Sequence, residues 1–121
     1  MHKEDQRLFG SLYTLEQLAE QDLLSASASG DPVYWHQQAL ERMETYRELR
    51  ITLHRYGSTF VVEHAQDQLA KLNKLSNTKG QYHGQRQALE LFLILAADAI
   101  THHTSAGFLE HAGTERFAPV M

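Results

Sequence analysis

Ten consecutive residues, ALELFLILAA (88–97), carry a single charge, Glu90, and constrain this chain more than any other segment. Read as part of a helix over about residues 85–103, they send Leu89, Leu93 and Ile100 one way, Phe92, Leu95 and Ala99 another, and Leu91 and Ile94 a third. A helix that is apolar on every side must be covered on every side. The chain has 121 residues, and a domain of that size shields only about two-thirds of its unfolded surface. The remaining cover has to come from the C-terminal tail or a second subunit. The expectation is a homodimer whose interface includes Leu91, Ile94 and Leu95.

Three further helices follow from apolar spacing. The first covers about residues 3–24, where Leu8, Leu12, Leu15, Leu18, Ala19 and Leu23 recur at three- and four-residue steps. Gly10 inside it marks a place for a break. SASASGDP (25–32) reads as a linker that ends in a helix start, with Asp31 as cap and Pro32 at the first helical position. The second helix spans 32–56 and stops at Gly57, a natural C-terminal residue. Ser58 is the expected N-cap of the third, about 59–75, with a stripe of Val61, Ala65, Leu69, Leu72 and Leu75. SNTKGQYHG (76–84) is a polar loop, Gly107 ends the fourth helix, and 104–121 form a tail whose Phe108, Leu109, Phe117 and Val120 can dock back. No strand signal is convincing. The fold class is therefore all-α: one domain over 1–121, a small bundle of three to four helices.

The second helix carries two apolar edges. Trp35, Ala39, Met43, Tyr46, Leu49 and Leu53 make a core stripe, and Val33, Leu40 and Ile51 lie well round from it, with His36, Arg47 and His54 between. Such a helix packs on two neighbours or keeps one edge for a partner. Trp, Tyr and Arg are the residue types enriched in binding hot spots, so Trp35, Tyr46, Tyr56, Arg47 and Arg50 are contact candidates. The expected partner surface is Val33, Trp35, Leu40, Tyr46, Arg47 and Ile51.

Composition excludes several functions. With no cysteine, there is no disulfide scaffold, thiolate metal site or thiol nucleophile. The net charge is −4, and the one basic window, 68–89 with Lys71, Lys74, Lys79 and Arg86, holds a single aromatic, Tyr82. Nucleic-acid binders show a domain-wide basic footprint instead. Neither a secretory signal in MHKEDQRLFG nor a membrane-length apolar run is visible, so a cytoplasmic location is expected. No Gly-rich phosphate loop, GxSxG or HExxH is present. Glu41, Glu44 and Glu48 read as solvated, balanced by Arg42, Arg47 and Arg50 at helical spacing.

Two chemical alternatives draw on the histidines. Asp98 with His102, and His64 with Asp67, share helix faces in the manner of bundle metal sites. The Glu-x-x-His pairs of di-iron proteins are missing, and His102 and His103 also suit a helix C-terminus. No metal or cofactor is expected. The second alternative is a small helical ribonuclease. Arg47 and His54, with six residues between them, resemble the arginine–histidine motif of the HEPN class. That resemblance implies His54 as general base and Arg47 as stabiliser of phosphorane charge. Here Glu48 follows the arginine where those enzymes have a polar residue, and the pair lies mid-chain rather than near the C-terminal helix.

In size, helix content and lack of catalytic motifs, the chain resembles the small helical antiactivators with which bacteria sequester quorum-sensing transcription factors. The resemblance covers the chain in outline. It implies a non-enzymatic regulator, a dimer that occludes a transcription factor's own dimerisation surface, with Val33, Leu40 and Ile51 as a contact edge.

Overall fold

The structure, a computed structural model, describes the backbone of residues 3–75 and 82–112 and the side chains of 3–75 and 82–98. Within those residues it is all-helical: α1 (Lys3–Ser25), α2 (Pro32–Tyr56), α3 (Ser58–Lys74) and α4 (His83–Ala112), with a 3-10 turn at Ala26–Ala28. α1 runs unbroken through Gly10, where an added Cβ would meet nothing within 4 Å. The expected 25–32 linker is shorter than its composition suggests. Ser25 still belongs to α1, and the 3-10 turn closes when the Ser29 backbone and hydroxyl both donate to the Ala26 carbonyl.

α2 starts and stops where its capping residues dictate. The Asp31 carboxylate accepts the Tyr34 N–H at 3.2 Å, and Gly57 takes a φ of 87° that ends the helix. Gly57, not Ser58, is also the residue ahead of α3, and no side chain of α3 caps its first turn. α1 and α2 are antiparallel, because Asp22, Glu16 and Phe9 meet Arg42, Arg47 and His54 in reverse order. Leu8, Leu12, Leu49, Leu53, Val61, Ala65, Leu89, Phe92 and Ala96 form one core that draws on all four helices.

α4 enters this bundle by a close approach. A Cβ on Gly84 would collide with the Gln38 carbonyl group, whose carbon and Cα lie 3.1 Å from it, so the first turn of α4 rests on the α2 backbone. Tyr82, at φ 62°, precedes the helix, and its carbonyl accepts the Arg86 N–H. Tyr82 offers no side-chain cap. The Glu41 carboxylate of α2 takes that place and accepts the Gln85 N–H at 3.1 Å. The expected loop therefore ends sooner: His83 and Gly84 are helical, and 76–81 lie outside the described residues.

α4 also continues through Gly107 to Ala112. One helical glycine costs only about 1 kcal/mol relative to alanine, and no proline follows until Pro119. The part of the expected tail over 104–112 is thus helical, while 113–121 lie outside the described residues. No helix among those residues is long and apolar enough to cross a membrane.

Candidate partner-binding groove

The seam between α1 and α2 is polar at its centre. Glu16 sits one turn after Leu12 on the buried face of α1 and is itself only 5% exposed. Its two oxygens accept separate hydrogen bonds at 2.9 Å, one from Arg47 Nε and one from Arg50 Nε. Arg50 lies over the rings of Phe9 and Tyr13, 5.7 and 5.8 Å from their centroids. Burial alone would raise the Glu16 pKa; the hydrogen bonds and charges of the two arginines outweigh it and hold the carboxyl below its ordinary value. A buried carboxylate needs such partners. On sequence, both arginines are contact candidates and surface balance for Glu41, Glu44 and Glu48. The signal that would have shown otherwise is a glutamate inside the Leu12–Ala19 stripe.

Beside this seam two depressions open, one between α1, α2 and α4 and one between the end of α1, the 3-10 turn and α2. The larger, about 460 Å³, has Leu15, Leu18, Ala19, Tyr46, Leu91 and Ile94 on its walls and floor, with Asp22, Arg42, Gln87 and Glu90 around them. The smaller, about 300 Å³, is lined by Asp22, Ser25, Ala26, Ser29, Trp35 and Arg42. The Asp22–Arg42 ion pair, 3.1 Å long, belongs to both linings and marks where they adjoin. Together they make a groove along the C-terminal half of α1 that ends at Trp35.

The exposed apolar groups here are large: Leu18 is 50% exposed, Trp35 49%, Leu91 37% and Ile94 64%. Helix geometry explains the last two. Ala88, Leu89, Phe92 and Ala96 take the buried arc of α4, and the opposite stripe carries Gln87, Leu91, Ile94 and Asp98. Trp35 is exposed because it precedes the Gln38–Gly84 crossing, so the first turn of α4 lies beyond it along α2.

The expected contact residues separate in space. Trp35, Leu91 and Ile94 border the groove, and Tyr46 lies at its floor as a core residue, 4% exposed, with its hydroxyl pKa raised by burial. Leu95 packs against the core as a half-buried residue rather than standing on the outer stripe. Leu40 is half-buried, Val33 stands alone on the first turn of α2, and Ile51 borders a third depression on another face. The Val33, Leu40 and Ile51 edge lines neither depression of the groove. Leu18, with its unremarkable place in the α1 stripe, was the groove residue missed.

That third depression bears on the chemical alternatives. It contains Arg47 with Glu41, Glu44, Glu48, Thr45, Ile51 and Gln85, and His54 is not in its lining. Three carboxylates around an arginine already bound to Glu16 oppose a polyanionic substrate. The His54 ring instead faces Phe9, 6.0 Å between centroids. Among the described residues no three His, Asp or Glu side chains are grouped to hold a metal ion, and His102 lies outside the described side chains. No protein family, curated protein or solved structure matches the chain.

Proposed function

We propose that this protein is a non-enzymatic binding module that takes a segment of a partner protein into the α1–α4 groove. The observation that carries the reading is the grouping of Leu18, Leu91 and Ile94 around one apolar concavity. Scattered exposed hydrophobic residues are ordinary on a small domain, whereas a contiguous apolar patch with a polar rim marks an association site. Arg47 is bonded to Glu16, and His54 does not line the depression that contains it, which weakens the ribonuclease alternative. Sequestration of a transcriptional regulator, as the antiactivator resemblance implies, is one form of this activity. A second copy of the chain is the competing occupant, as the expected homodimer would require.

The test is affinity capture from the native host with mass spectrometry, with wild-type protein, Ile94→Asp and Ile51→Asp. A partner retained by wild type and Ile51→Asp but lost with Ile94→Asp supports the groove. A partner captured equally by all three, or by none, overturns it.

A further inference from the structure

The charges around the groove select among occupants. Among the described residues Arg42 is the one cation in its lining, and Asp22 already neutralises it. Asp22 uses only Oδ2 in that bond, and its side chain remains 64% exposed, leaving Oδ1 open where the two depressions adjoin. Glu90 stands on the rim, and Asp98 follows Ile94 by one turn on the same stripe of α4. The apolar floor thus has Asp22 and Glu90 at its rim and Asp98 one turn beyond it, with no unpaired base among the described lining residues.

From Leu15 to Ser25 the groove follows α1 for about 15 Å at 1.5 Å per residue, nearly three helical turns. A trough between helices accepts another helix through apolar anchors at three- and four-residue spacing. Two copies meeting groove to groove would bring the Glu90 and Asp98 carboxylates of one copy towards those of the other, and like charges across an interface disfavour that pairing.

We infer that the occupant is a basic amphipathic helix of a different protein, with leucine-type anchors in the Leu15, Leu18, Leu91 and Ile94 depression. A lysine or arginine beside them reaches Asp22 Oδ1, and further cations meet Glu90 and Asp98. A cationic side chain near the end of the groove can lie over the Trp35 ring. This rests on the proposed association function and adds the chemistry of the partner.

The test uses the whole protein and two helical peptides of about 14 residues, each held helical by a side-chain lactam, with one shared leucine face. One carries lysines beside that face and the other carries glutamates. Fluorescence anisotropy at low salt should show the basic peptide binding wild type at least about tenfold tighter than the acidic one, with the margin shrinking as salt rises. Glu90→Lys with Asp98→Lys should reverse the preference. Ile94→Ala should weaken both peptides, while Ile51→Ala should leave them unchanged. Equal binding of the two peptides, binding of neither, or a dimer in sedimentation that Ile94→Ala dissolves each overturns the basic-helix assignment. If native capture still depends on Ile94, the association function stands without it; if capture fails too, both fall.

Discussion

Glu16 and Arg50 join α1 to α2 through a 2.9 Å hydrogen bond between Oε1 and Nε, on a carboxylate that is almost wholly buried. Arg47 takes the other oxygen at the same distance. The bundle is therefore cross-linked by charge where its sequence pattern calls for a leucine.

Glu16→Gln should lower unfolding stability by about 1–3 kcal/mol, the range for hydrogen bonds to a buried charged group. Arg47 is half exposed and regains water, which places the loss in the lower part of that range. The native carboxyl titrates below its ordinary value of 4.5. Its stabilisation is therefore complete above about pH 4.5 and is lost as pH falls through the lower native value. Chemical denaturation from pH 7 to pH 3 should show a steeper acid decline for wild type than for Glu16→Gln. Parallel curves would rule out this role.

Two glycines should respond oppositely to alanine. Gly84→Ala forces a methyl group onto the Gln38 backbone and should cost about 1–3 kcal/mol, as overpacking does. Gly10→Ala fills open space in the middle of α1 and should gain about 0.5–1 kcal/mol from helix propensity. Thermal melts of the two variants check both signs.

Glu41→Ala removes the carboxylate that accepts the Gln85 N–H. Loss of an N-cap costs about 0.5–2 kcal/mol. Amide exchange should accelerate first at Gln85, with little change in α3. Unaltered protection at Gln85 would show that the cap contributes nothing in solution.

Removing the groove's apolar groups should separate folding from binding. Ile94→Asp and Leu18→Gln alter half-exposed or exposed positions, so stability should stay within about 0.5 kcal/mol of wild type. Phe92→Ala, on the opposite arc of the same helix and fully buried, should cost about 3–5 kcal/mol. A large destabilisation by Ile94→Asp would mean that this residue serves the fold.

Apolar periodicity, with Asp31, Pro32 and Gly57, located the helices of the first 75 residues to within one or two positions. These are local signals: spacing, a cap and a positive φ. What remained hidden depended on contacts between helices. Nothing near Glu16 in the chain announces two arginines from α2, and nothing near Gly84 announces the Gln38 backbone. The same cause divided the site. Leu91 and Ile94 were legible as surplus apolar surface, because no single-domain packing covers every side of such a helix. Their union with Leu18 and Trp35 in one groove required the α1–α4 packing, while the Val33, Leu40 and Ile51 edge lies outside it.

Association through the groove is tested most directly by hydrogen–deuterium exchange on the protein alone and in complex with the partner captured from the native host. Protection should appear on residues 15–25 of α1, on 87–98 of α4 and on the Arg42–Tyr46 stretch of α2 that lines the groove, and leave α3 unchanged. Protection centred on α3, or none on α1 and α4, would contradict it.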